Sequence, residues 1–352
     1  MSIPQSDLQP SASPSPLPLS MPIPSATGPR TAAAPQERRL GFHGDGLRLL
    51  GLLFVNTLLT YVTVGIYYCW AKAKMRRYIF GQIELEGDRF AWHGTGKEMF
   101  LAWIKLVGLA FLSMLFIGGL AAAFRPWPGM QVVLMLLIYG GMLVLIPFAI
   151  VGARRYLLSR LSWRGIRFSF RGLGEELLVP FFKGALFTGL TLGFYSPYFT
   201  STIYSYLINN TFYGTRRFSY DGNGDGLFKA YVKAFFLGFV TLGLYWFWFA
   251  AERSRYFAAH TRCGELRFES TVTGGKLLGL FFTNLLLILF TAGIAAPWVV
   301  VRSLRFQFEN LILRGPLDTD AVRQELRMAS AMGDTLADAL DLDAGLDIGL
   351  GA

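Results

Sequence analysis

One short pattern comes round five times in this chain, and any fold proposed for it has to accommodate that repetition. Each copy is an apolar stretch, a ring-rich turn and, in most copies, a basic segment ending in an aromatic residue. The endings are Tyr78, Tyr156, Tyr206, Tyr256 and Phe306, so the last four stand 50 residues apart. An Arg-Phe pair keeps the same phase, with its rings at Phe90, Phe168, Phe218 and Phe268. Glycine does so as well, at Gly46, Gly96, Gly174, Gly224 and Gly274. Three markers in one phase make an internal repeat, which decides architecture before any local pattern does. The units run at about 46–95, 96–173, 174–223, 224–273 and 274–315, the second lengthened by an insertion.

Composition says what solvent these repeats meet. Of 352 residues, 53% are hydrophobic and only 16% charged, against roughly 25% charged in soluble domains. Apolar runs at 49–71, 100–124, 132–151 and 277–301 reach the ~20 residues that cross a hydrocarbon core. A soluble core can hide one such run, not a series. The expectation is an all-α polytopic membrane protein. It has about 6–7 membrane segments in five tandem repeats of ~50 residues, with short β-strands in the cytoplasmic connections.

The ends differ from the middle. Residues 1–39 hold nine of the 16 prolines and read as a disordered, cytoplasmic Pro/Ser-rich arm. They lack the apolar segment of a signal peptide. Residues 316–352 carry eight acidic residues against two arginines, a net charge of −6. An amphipathic helical pattern over 322–342 makes this either a solvated tail or a segment docking on the chain's own basic loops. The membrane repeat domain lies between, at 40–315. Two unrelated cysteines, Cys69 and Cys263, make neither a disulfide framework nor a metal spacing.

Within the unit, Thr-x-Gly precedes the ring-rich turn at Thr63/Gly65, Thr191/Gly193, Thr241/Gly243 and Thr291/Gly293. Pro147, Pro197 and Pro297 align just beyond it, and they lack a donor N–H. Each repeat therefore holds a helix that kinks or reverses there. Arg89-Phe-Ala-Trp, Arg167-Phe-Ser-Phe and Arg217-Phe-Ser-Tyr alternate like brief strands, and Leu40-Gly-Phe42 is a degenerate copy ahead of the first helix. Nearly every connection is basic. The preference of Lys and Arg for the cytoplasmic side favours re-entrant hairpins, whereas hydropathy favours single spans; both remain open at this level.

Chemistry-bearing residues are few. Lys105, Lys183 and Lys233 occupy equivalent positions in the apolar stretches, and Asn56 and Asn284 stand one place further on. They are the candidate polar pathway, because ionisable groups inside a membrane mark solute routes. The plainer reading is that the lysines snorkel to the headgroups. Arg76, Arg77, Arg154, Arg155, Arg253, Arg255, Arg302 and Arg305 are candidates for facing anionic lipid headgroups. The three histidines make no site, and no nucleophile, phosphate-loop or metal-ligand constellation stands out. No catalysis, cofactor or metal is expected, and nucleic acid is a poor partner for bases spread over membrane-flanking positions.

The T-x-G-I/L-Y…W…R-x-R-Y…G-x-R-F…G pattern resembles that of the YjgN-like family of bacterial inner-membrane proteins, a domain without assigned function. The resemblance runs from about Leu40 to Asp347 and includes Leu336-Ala-Asp-Ala-Leu-Asp-Leu-Asp343 near the end. It is weakest in the third repeat, where 201–206 lacks the basic residues. It implies a multi-pass protein of the bacterial inner membrane and carries over no site residue. The expected activity is that of a transporter or channel for a small polar or anionic solute. The alternative is a non-catalytic scaffold organising lipids or partner membrane proteins.

Overall fold

The computed structural model describes residues 37–124, 126–316 and 322. The chain enters on β1 (Glu37–Phe42) and then passes five times through a helical hairpin and strands. The first pass is α1 (Gly46–Val62), α2 (Tyr68–Gly81), β2 (Ile83–Leu85) and β3 (Asp88–Trp92). The second is α3 (Gly96–Ala123), α4 (Pro128–Ser159), β4 (Leu161–Trp163) and β5 (Ile166–Phe170). The third is α5 (Gly174–Leu190), α6 (Ser196–Asn209), β6 (Thr211–Tyr213) and β7 (Arg216–Tyr220). The fourth is α7 (Asp225–Val240), α8 (Trp246–Ala259), β8 (Thr261–Cys263) and β9 (Leu266–Ser270). The fifth has α9 (Gly274–Phe290), α10 (Ala296–Glu309) and one strand, β10 (Leu311–Arg314).

The Thr-x-Gly signal makes the reversal inside each short pass. Thr63 Oγ1 donates to Leu59 O (2.7 Å) and accepts from the N–H of Tyr67 (3.0 Å). Thr191, Thr241 and Thr291 repeat this pair of bonds. Gly65, at φ +88°, donates back five residues to Thr60 O, which closes the helix end in a Schellman-type turn. Pro197 and Pro297 then fall in the first turn of α6 and α10, where a missing N–H costs nothing. Pro147 is instead carried inside the longer α4.

Strands of three to six residues cannot stand alone, and here they do not have to. Each pairs antiparallel with both sequence neighbours, and β1 pairs with β10, closing a ten-stranded barrel. Two-residue turns join the hairpins. Glu86-Gly87 and Arg164-Gly165 both take positive φ, and Gly214 and Gly264 do so at the first turn position of the other two, as the twist of a tight hairpin requires. Alternation puts Phe90, Phe168, Phe218 and Phe268 inside and the arginine before each one outside. Successive rings stand 6.3, 6.5 and 6.0 Å apart. Pairs at such spacings contribute about 0.5–1.5 kcal/mol each beyond their buried area. Leu40, Ile83, Leu85, Trp163, Tyr213 and Leu313 complete this core, and Val322 is buried in the same cluster.

The five passes interlock through the marker glycines. A Cβ added at Gly46, Gly96, Gly174, Gly224 or Gly274 would lie 2.2–2.6 Å from ring atoms of Trp298, Trp70, Phe148, Tyr198 and Trp248 respectively. Each ring starts, or lies within, the second helix of the preceding pass, and Trp298 of the last pass rests on Gly46 of the first. The basic-aromatic signature adds hydrogen bonds, its arginines across the same joints and its tyrosines within a pass. Arg155, Arg255 and Arg305 donate forward to Gly172 O, Val272 O and Gly44 O. The hydroxyls of Tyr78, Tyr206 and Tyr256 bond the backbone of Asp45, Leu173 and Asn223, at the start of their own pass.

This corrects the expectation of an all-α bundle with 6–7 membrane segments. The strands close a barrel, and among the described residues two helices, those beginning at Gly96 and Gly129, are long and apolar enough to cross a membrane. The expected count rests on hydropathy, with single spans and re-entrant hairpins both open for the 50-residue units. The Thr-x-Gly turn instead cuts each apolar stretch into helices of 14–17 residues, and 17 residues rise only about 25 Å. The arm expected over 1–39 falls outside the described residues up to 36, and 37–39 belong to β1. The tail helix expected over 322–342 also lies outside them, except for Val322.

Cys263, in β8, illustrates how dry the barrel is. Burial pushes its thiol up to about 11, with Arg216 opposing. Between about pH 9 and 11 the unfolded thiol ionises while the folded one does not, so stability falls as pH rises through that window. Comparison of Cys263→Ala with the parent should show the parent losing up to about 2–3 kcal/mol more across it. Parallel denaturation midpoints at pH 8 and 11 would refute this.

Candidate central cavity

The helical hairpins and the barrel form an open cavity of about 800 Å³. Its walls are α4, α6, α8 and α10, the returning helices of four passes, and its floor includes Phe168, Phe218 and Phe268. The lining is mainly apolar, with Thr200, Tyr204, Ser254 and Gln307 among the polar groups. Two cations reach it, Arg154 from α4 and Arg253 from α8. The Nε of Arg154 is buried with no hydrogen-bond partner, and among the described residues neither arginine has a carboxylate partner. Arg253 is exposed and Arg154 half-buried; the buried, unpartnered Nε of Arg154 is the costly group, and it favours an incoming anion.

Helical phase explains where the arginine pairs go. Arg154 and Arg155 are about 100° apart on α4, so one faces the cavity and the other clamps the next pass. Arg76 lies over the Trp92 ring, 5.3 Å from its centroid. Arg77 and Arg302 are exposed. The eight arginines expected at headgroups thus divide among the cavity, the joints between passes and the surface.

The same phase separates the five residues of the candidate pathway. Lys105, Lys183 and Lys233 are exposed on the outer faces of α3, α5 and α7, with Lys233 Nζ 5.8 Å from the Tyr245 ring centroid. Asn56 and Asn284, one place further on, are buried at 4% and 8% exposure. The structure does not bring the lysines and asparagines to one surface. Asn284 Nδ2 donates to Ser303 Oγ (3.2 Å), whereas Asn56 Nδ2 has no partner. The cavity residues Tyr204 and Ser254 carried no signal as a site in the sequence. No group of three or more His, Cys, Asp or Glu side chains suited to a metal is found among the described residues.

Comparison with known proteins fits this picture without naming an activity. The chain is 33% identical over 162 residues to "Inner membrane protein YjgN" of Escherichia coli O157:H7, covering 46% of this chain and 37% of that protein. It is 36% identical over 129 residues to the protein of that name in E. coli K12, covering 37% and 30%. The Salmonella typhimurium LT2 protein of that name is 33% identical over 132 residues, covering 38% and 31%. The matches thus span only about a third of these relatives, 30–37% of their length. No solved structure matches the chain. The family model matches residues 37–245 and 239–339, so the chain belongs to the family described as "Bacterial protein of unknown function (DUF898)".

Proposed function

We propose that this protein works in the bacterial inner membrane as a transporter-like binder of a small anionic solute, held in the central cavity. The relatives' name supports the location. The α3–α4 hairpin supplies two crossings, with the barrel end on the cytoplasmic side, where the basic segments gather. The shorter hairpins then point their uncharged tips into the bilayer. Val64, Leu192 and Leu242 at those tips are 91%, 88% and 94% exposed, a surface suited to lipid rather than water.

The observation that carries the solute reading is the pair of arginines without counter-charge at a mostly apolar cavity lined by four of the five passes. Coulombic attraction in such a site is several-fold stronger than in water. Calorimetry on the full chain in nanodiscs, with inorganic phosphate and a dicarboxylate as probes, tests it. Arg154→Gln/Arg253→Gln should weaken binding by about 10- to 100-fold, the effect of losing about 1.4–2.8 kcal/mol. Equal affinity in parent and variant would refute the site.

The packed Phe floor favours a second reading, a non-transporting scaffold that organises lipids or membrane proteins. Anion flux into vesicles reconstituted with the parent distinguishes the two. Binding without flux supports the scaffold.

A further inference from the structure

The first helical hairpin differs from its counterparts at one depth. The position of Asn56 is filled by Gly184 in the third pass and by Ala234 in the fourth. A Cβ at Gly184 would lie 2.1 Å from the Phe199 ring, and Ala234 is fully buried beside Phe249. Rings or helix backbone thus occupy that depth. In the fifth pass Asn284 is bonded to Ser303. In the first, the residue equivalent to Ser303 is Met75, which offers no partner. Asn56 is left 4% exposed with its Nδ2 unpartnered. An unmade hydrogen bond of this kind costs about 1–3 kcal/mol.

Beside Asn56 the hairpin opens a cleft of about 590 Å³ between α1 and α2, a size normal for ligand sites. Leu53, Tyr61, Tyr68 and Met75 form much of its wall, and Lys72 and Arg76 border it. Lys72 and Arg76 lie further along α2 from the tip, toward the barrel. Among the described residues neither has a carboxylate partner; Lys72 lies 5.7 Å from the Tyr68 ring centroid and Arg76 lies over Trp92. The corresponding cleft of the fifth pass, about 390 Å³, has no charged residue in its lining.

From tip to barrel the cleft therefore presents apolar wall, a buried amide donor, and two cations. We infer that it binds one anionic phospholipid. The phosphate meets Lys72 and Arg76, an ester carbonyl accepts from Asn56 Nδ2, and an acyl chain lies along Leu53 and Met75 toward the tip. Charge-assisted bonds to phosphate fix the headgroup, and the apolar wall takes the chain. Assignment to the cytoplasmic leaflet rests on the membrane orientation proposed above; the chemistry of the cleft does not.

Native mass spectrometry of the full chain in detergent, titrated separately with dioleoylphosphatidylglycerol and dioleoylphosphatidylcholine, tests the inference. The parent should retain the anionic lipid about 10-fold more tightly, a difference of about 1.4 kcal/mol. Lys72→Gln/Arg76→Gln should abolish that preference. Asn56→Asp, which keeps the side-chain shape but replaces the donor with a repelling charge, should reduce it, and a melting curve for each variant confirms folding. Equal retention of the two lipids by the parent, or a preference unchanged in the folded variants, overturns the inference. Displacement of the lipid by millimolar inorganic phosphate would reassign the cleft to a free anion. Loss of the preference in Arg154→Gln/Arg253→Gln but not in Lys72→Gln/Arg76→Gln would move the lipid to the central cavity; this inference would then fail while the cavity reading stood.

Discussion

Gly174→Val is expected to lower the melting temperature by about 10 °C. The position its Cβ would take lies 2.2 Å from Cδ1 of Phe148, far inside van der Waals contact. Phe148 lies on α4 and is 40% exposed, so its ring can swing outward, but only by giving up its seat on the glycine. Overpacking costs about 1–3 kcal/mol and sometimes more, and a β-branched residue in a helix adds to that. In a domain of this size each kcal/mol moves the midpoint by about 2–4 °C. Phe148→Ala alone should also destabilise, by about 1–2 kcal/mol, because its ring is only partly buried. In the double variant the two changes relieve each other, so the combined loss should fall short of their sum by at least about 1 kcal/mol. Thermal denaturation of the four proteins in one detergent checks this. Strict additivity, or a neutral Gly174→Val, would show that the ring of one pass does not seat on the glycine of the next.

That joint shows how much of the fold could be read beforehand. The spacing of Gly174 and Phe168 identified equivalent positions correctly, yet gave no sign that four of the marker glycines receive a ring from 26 residues earlier, as Gly224 does from Tyr198, or that Gly46 receives Trp298 from the last pass. A repeat shows which positions are equivalent, not which of them touch. The Thr-x-Gly turn was legible as a break in the helix. Its outcome, reversal into two short helices, depends on Thr63 bonding both Leu59 and Tyr67, a geometry that hydropathy cannot report. This is why the count of membrane segments was too high. Leu40-Gly-Phe42 was visible as a degenerate strand and pairs with nearby β2. Glu37–Arg39 were read as part of the arm, because their partner, β10, lies some 270 residues away, beyond the reach of local pattern.

The candidate site was half legible for a similar reason. Basic pairs such as Arg154-Arg155 were evident, and so was their place at the end of an apolar stretch. Which member faces the axis depends on helical phase against neighbours that the sequence does not place. Lys183 and the aligned Asn284 looked like one ring of polar groups because they differ by one position; on a helix that single step separates an exposed face from a buried one. Asn56 acquires its interest only when Met75 is found opposite it in place of a hydrogen-bonding residue.

The central claim is that the five passes close into one ring, with β1 supplying the strand the last pass lacks. Glu37 and Arg314 are register partners on the outer face of the barrel, joined by a 2.7 Å ion pair. In the variant Glu37→Cys/Arg314→Cys, with Cys69 and Cys263 buried and unpaired, mild oxidation should form a single intramolecular disulfide. It closes a loop of about 280 residues, for which the chain-entropy relation gives up to about 5–6 kcal/mol of stabilisation. The measurement is non-reducing gel mobility together with the melting temperature, before and after oxidation. The closed ring predicts a faster-migrating monomer, reversed by reductant, with a midpoint raised by 10 °C or more, taking about 2–4 °C per kcal/mol. Free thiols after oxidation, or only disulfide-linked dimers, would mean that the first and last strands are not neighbours and that the ring is open.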